Sequence, residues 1–263
     1  MLEYKVFEGP SSEYLVLIHG FGGNCSIFHK QIRFFQKYFN VVTIHLPGHG
    51  KSPSPDQYNQ PFSFNLAARE CIRILDHLRI EKAHFLTISL GSVIVHCLMN
   101  HYPERVKSAV LGGAITRLTW TSKTLVACGK VVKSFTPHIW LYKLFAHIIM
   151  PRKNHHHSRE MFVKAAQKMK RKDFLAWFHL VNDVQSTFVI NEKTKAIPKL
   201  YLSGREDHLF VNAIQKDVQS DDNAQMIVIE KCGHVCNVDK ADEFNQHALS
   251  FLQYFIQEKS SVS

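Results

Sequence analysis

Hydrophobic positions along this chain follow two alternating rhythms. Short apolar runs at Tyr14–Ile18, Val41–Ile44, Ala83–Ile88, Val106–Ala114, Lys199–Ser203 and Met226–Ile229 read as buried strands, with an edge strand expected over Leu2–Phe7. Between them apolar residues recur at helical spacing over about 27–38, from a Ser63 cap through Phe64, Ala68, Cys71, Ile72, Leu75 and Leu78, up to about His101, and over 211–220 and 241–257. Alternation of this kind predicts an α/β fold, a mostly parallel sheet flanked by helices. Residues 118–188 break the rhythm. They contain four helical pieces (122–134, 138–149, 158–172 and 173–187), punctuated by Pro137 and Pro151, and no strand pattern. The expected organisation is a core of 1–117 and 189–263 carrying a helical lid of 118–188. The Lys/Ser tail at 259–263 is expected to fray.

Composition narrows the class. In 263 residues, 45% hydrophobic and 21% charged, there is material for one core plus an insertion, and disorder is excluded. No apolar run approaches the roughly 20 residues of a membrane span, and no signal-peptide pattern is present. Six scattered cysteines without a framework spacing point to reduced thiols and a cytoplasmic location.

The net charge of +10 sits in one place. Residues 118–188 hold 12 Lys/Arg against 3 Asp/Glu, leaving 20 against 19 elsewhere, and all three tryptophans (Trp120, Trp140, Trp177) lie in the same segment. A solvated cationic face accounts for this. So would attraction of an anionic substrate, or peripheral contact with anionic lipid helped by Trp140, Tyr142 and Phe145. No nucleic-acid-binding module is present.

Candidate chemistry collects where strands end. The run Ala83–Ile88 leads through Ser89 directly into an apolar helix, the strand–turn–helix form that lifts a hydroxyl above a sheet edge. The ordinary alternative is a Ser acting as helix N-cap. A hydroxyl nucleophile needs a base, and the base a carboxylate. Gly204-Arg205-Glu206-Asp207 follows one late strand and Cys232-Gly233-His234 follows the last. Ser89, Asp207 and His234 thus stand in Ser…Asp…His order, each past the carboxyl end of a strand. Glu206 is the alternative acid.

With His19-Gly20-Phe21-Gly22 and Leu46-Pro47-Gly48-His49-Gly50-Lys51-Ser52, these motifs make the chain resemble α/β-hydrolase-fold enzymes of the branch with a helical cap after the sixth strand. The resemblance spans nearly the whole chain. It implies Ser89 as nucleophile, His234 as base, Asp207 as orienting acid, and the backbone N–H groups of Phe21 and Leu90 as oxyanion donors. His19, Trp120 and Trp140 are assigned to the substrate pocket, expected to be apolar with a cationic rim. Thr87 stands where the family's Gly-x-Ser-x-Gly pattern has its first Gly.

Other motifs fail on their chemistry. Gly48-His49-Gly50-Lys51-Ser52 lacks the Walker glycine five places before Gly50, where His45 stands, so it reads as a structural loop beneath the site. Cys25 occupies the third glycine position of a dinucleotide fingerprint. His155-His156-His157 reads as a solvated polar loop, and Cys232 and Cys236 as small packing residues. No metal or cofactor is expected. The expected activity is serine hydrolysis of a small-molecule carboxylic ester. The alternatives are carbon–carbon bond or lactone hydrolysis by the same triad, or a ligand-sensing relative with little turnover.

Overall fold

The computed structural model describes residues 1–132 and 136–260. Seven strands form one sheet: β1 (Tyr4–Phe7), β2 (Tyr14–Ile18), β3 (Asn40–Ile44), β4 (Ala83–Ile88), β5 (Val106–Gly112), β6 (Lys199–Gly204) and β7 (Ala224–Ile229). Their order is β1-β3-β2-β4-β5-β6-β7, with β1 antiparallel to β3 and every other pair parallel. Around the sheet lie α1 (His29–Phe35), α2 (Phe64–His77) and α3 (Leu90–His101). Between β5 and β6 come α4 (Trp120–Val132), α5 (His138–Ile149), α6 (His156–Ala166), α7 (Arg171–Leu180), α8 (Val184–Thr187) and α9 (Glu192–Lys195). The chain ends with α10 (Val211–Val218), α11 (Cys236–Asp239) and α12 (Ala241–Ser260).

Period-two side-chain alternation divides the core. Val16, Ile18, Phe85, Leu111 and Tyr201 face α2, α3 and α10, whereas Leu15, Leu17, Leu86, Ile88, Val110, Leu200 and Leu202 face α1 and α12. Burial on both faces is why these strands are continuous apolar runs. Ser63 caps α2 as expected, its side chain accepting from the Leu66 N–H.

Several expectations shift. The helix expected over 27–38 is a 3-10 turn (Cys25–Phe28), capped by Asn24, followed by α1. The piece expected over 158–172 stops at Ala166, with α7 starting at Arg171. α12 runs on to Ser260 where fraying was expected from 259, and 261–263 lie outside the described residues, as do 133–134 of the first inserted helix.

Polar anchors fasten the inserted helices to the core. Trp177 Nε1 donates to the Pro47 carbonyl (2.8 Å), Tyr142 Oη to the Phe21 carbonyl (2.6 Å) and Ser54 to Asp173, and Lys172 pairs with Asp56 at 2.8 Å.

Candidate active site

Ser89 sits between β4 and α3 with φ 55° and ψ −123°, a left-handed conformation rare for a residue with a side chain. Its surroundings hold it there. The Ser89 N–H donates to the Gly112 carbonyl (2.9 Å), and Ser92 Oγ donates to the Ser89 carbonyl (2.7 Å). A side chain at Gly91 would put a Cβ 2.4 Å from the Ile18 carbonyl oxygen, so the second glycine of the elbow is sterically required. Thr87, in place of the first, is fully buried on β4. Ser89 does not act as an N-cap, since its side chain bonds no helix N–H.

The strand ends bring together the three residues expected there. Ser89 Oγ donates to His234 Nε2 at 2.8 Å, and His234 Nδ1 donates to Asp207 Oδ2 at 2.8 Å. His234 is 1% exposed and Asp207 0%. Close backbone approach steers both loops: a Cβ at Gly113 would lie 2.2 Å from the His234 carbonyl oxygen, and one at Gly204 2.2 Å from that of Cys232. Phe210 packs beside His234 with ring centroids 5.3 Å apart.

Glu206, the alternative acid, faces the other way. It accepts from Arg152 (2.5 Å), Asn154 (2.8 Å) and His155 (2.8 Å), all on the inserted segment. Partial burial alone would raise its pKa. Bonds from Asn154 and His155, with the Arg152 charge, outweigh that and hold it below the usual carboxylate value. His155, read from sequence as part of a solvated loop, is fully buried against Glu206 and Gly233. His156 instead meets Glu160 at 3.5 Å, so adjacent histidines do diverge. Cys232 and Cys236 are buried in the sheet's second core, and burial pushes both thiols up.

The turn after β2 lies against Ser89; a Cβ at Gly20 would be 3.1 Å from the Ser89 Cβ. Two histidines hold the turn from below. His19 Nδ1 donates to the Gly20 carbonyl (2.8 Å) while its Nε2 accepts from Leu46 N–H (3.2 Å). His49 Nδ1 donates to the Pro47 carbonyl (3.0 Å) while its Nε2 accepts from Gly22 N–H (3.0 Å). Both must be neutral to accept. Burial depresses both, that of His49 to about 4.

That arrangement predicts acid sensitivity. An unfolded His protonates near pH 6.5, whereas His49 resists to about 4, so its contribution is whole above pH 6.5 and is lost as pH falls towards 4. Going from pH 7 to 5 should cost about 2 kcal/mol from His49 alone. Urea unfolding of the protein and of His49→Gln checks this, and an unchanged pH slope in the variant would refute it.

A cavity of about 110 Å³ opens at Ser89 and His234. Its walls are apolar: Phe21, Leu90 and Phe210 from the core, with Val126, Phe145 and Phe178 among those from the inserted helices. Three pocket assignments are overturned. Trp120 and Trp140 are 80% and 70% exposed and lie outside the lining. His19 lies beneath the turn, its ring committed to backbone. Among the described residues, none that lines the cavity is a Lys or Arg, so the expected cationic rim is not part of that lining. Tyr142 and Phe145, expected at a lipid interface, line the cavity, so α5 points 142, 145 and 149 inward and 140, 143, 144 and 147 outward. Helical spacing alone carried that signal for Tyr142.

Comparison with known proteins agrees with the fold. The model of the alpha/beta hydrolase fold family matches residues 13–135. That match spans just under half of the chain, and the structure has the α/β-hydrolase fold. It is 29% identical over 117 residues to 3-oxoadipate enol-lactonase 2 of Acinetobacter baylyi, covering 44% of this chain and 43% of that one. It is 27% identical to a 2-hydroxy-6-oxononadienedioate/2-hydroxy-6-oxononatrienedioate hydrolase of Paraburkholderia phymatum, over 93% of this chain and 88% of the relative. The chain thus spans about half the length of some curated relatives it matches and most of others. Among solved structures, a carboxylesterase of the Thaumarchaeon Nitrososphaera gargenis superposes with a TM-score of 0.78 at 19% identity, covering 98% of this chain and 96% of that one. No described helix of this chain is long and apolar enough to cross a membrane.

Proposed function

We propose that this protein hydrolyses small, uncharged carboxylic esters through an acyl-enzyme on Ser89, with residues 118–188 as its cap. One observation carries the reading. The Ser89–His234–Asp207 relay, with 2.8 Å at each link, opens into an apolar cavity that no Lys or Arg lines among the described residues. His234 Nε2 takes the Ser89 proton as Oγ attacks the acyl carbon, and Asp207 holds the tautomer and steadies the imidazolium. Phe21 and Leu90 supply backbone N–H groups to the oxyanion, each worth about 3 kcal/mol. The peptide that carries the Phe21 N–H is fixed at its other edge, where the Gly20 carbonyl accepts from His19 Nδ1 (2.8 Å) and from the Gly23 N–H (3.0 Å). His234 then protonates the leaving alcohol, and a water activated by His234 releases the acid and restores Ser89.

Carbon–carbon bond or lactone cleavage by the same triad is the second reading, and the relatives' names favour it. The cavity argues for esters. A substrate carboxylate buried there would meet no cation among the described lining residues, and an unpaired buried charge costs several kcal/mol. A space of 110 Å³ is also below the roughly 150 Å³ that admits benzene, which sets a short acyl optimum. A panel of p-nitrophenyl esters with neutral acyl groups of increasing length, against acyl groups ending in a carboxylate, tests this. Neutral short esters should lead the charged ones by about a hundredfold or more in kcat/KM. Preference for a carboxylate-bearing ester, or faster cleavage of a 2-hydroxy-6-oxo-dienoate, would give the second reading its place.

A further inference from the structure

The outer surface of the inserted helices has a character unlike the rest of the protein. α5 turns Trp140, Lys143, Leu144 and His147 to solvent, with Trp140 70% and Leu144 54% exposed. A groove between α5 and α6 continues that face, with Lys143 and His147 on one wall and Arg159 and Lys164 on the other. Glu160 is the one acid among the described residues of its lining, and it lies 3.5 Å from His156. At the start of α4, Trp120 is 80% exposed.

We propose that this face docks on the surface of an anionic lipid bilayer. Lysine and arginine beside exposed tryptophan and leucine match the two layers of such a surface: negative headgroups, then the acyl boundary, where indole rings settle. Charge also fixes the orientation, because 118–188 carries 12 cations against 3 anions while the remainder is balanced at 20 against 19. A second copy of the chain fits this face poorly, since two cationic surfaces would meet. The inner side of α5 bears Tyr142, Phe145 and Ile149 on the cavity, so docking would bring the site beside a phase in which neutral esters dissolve. That last link rests on the ester reading; the docking does not.

Co-sedimentation with vesicles of phosphatidylcholine alone, or mixed with phosphatidylglycerol, tests the proposal. The protein should partition about a hundredfold more strongly onto the mixed vesicles and be released by high salt. Emission from the exposed tryptophans should shift to the blue. Lys143→Glu with Lys164→Glu should reduce partitioning about a hundredfold, while Lys30→Glu with Lys37→Glu, the same charge change elsewhere, should reduce it far less. Trp140→Ala with Leu144→Ser should weaken it about tenfold. Equal binding to both vesicles, or equal loss in the two charge-reversal pairs, overturns the assignment. So does binding of an acidic polypeptide in the absence of any vesicle binding, or a dimer that Trp140→Ala dissociates. Ser89→Ala should bind vesicles like the parent, so loss of docking and loss of hydrolysis are read separately.

Discussion

Ser89→Ala should lower ester turnover by about 10⁶-fold while the protein stays folded. The size follows from the relay: without Oγ there is no acyl-enzyme, and the other groups, acting as a unit, have nothing to activate. Stability should hold because Ala meets the same backbone constraint at φ 55° as Ser, and the bonds fixing that peptide run through the Ser89 N–H and carbonyl. Measured kcat for p-nitrophenyl acetate in parent and variant, beside labelling by a serine-directed fluorophosphonate, decides the matter. Turnover that survives in the variant would remove Ser89 from the mechanism. Labelled Ser89 with a single slow turnover and an altered thermal midpoint would instead favour a ligand sensor.

Asp207→Asn should cost about 10⁴-fold in kcat, whereas Glu206→Gln should leave kcat within a few fold. The two carboxylates are neighbours in sequence but have opposite partners. Asp207 Oδ2 accepts the Nδ1–H of His234, which leaves Nε2 free to accept from Ser89. An amide there can turn its NH2 to the ring and stabilise the wrong tautomer. Glu206 accepts from Arg152, Asn154 and His155, so its loss loosens the inserted segment and should appear as a lower thermal midpoint. Kinetics and thermal unfolding of both variants separate these effects. The reverse ranking in kcat would transfer the orienting role to Glu206.

Strand and helix periodicities were legible without coordinates because each is a local demand. Two-sided burial makes an apolar run, one-sided helix burial makes a 3.6 repeat, and both show in the order of residues. The positions of Ser89, Asp207 and His234 were legible for a related reason: a parallel sheet sends every strand's carboxyl end to the same edge, so residues just past Ile88, Gly204 and Ile229 must converge there. Sequence favoured Asp207 over Glu206 by its distance past Gly204, with nothing to show how the two side chains point. Those directions are set from across the fold, where Arg152, Asn154 and His155 hold Glu206 while Asp207 meets His234. Trp120 and Trp140 were misplaced for the same reason: a tryptophan in an inserted helix suits a pocket as well as an outer face until the helix's rotation against the sheet is known. His19 and His49 show the same limit. Their neutral, backbone-bound state is set by burial beneath a turn, which no spacing along the chain encodes. The chain's order determined the elements and the edge where chemistry gathers. Tertiary packing alone decided which side chains face one another there, and which face the solvent.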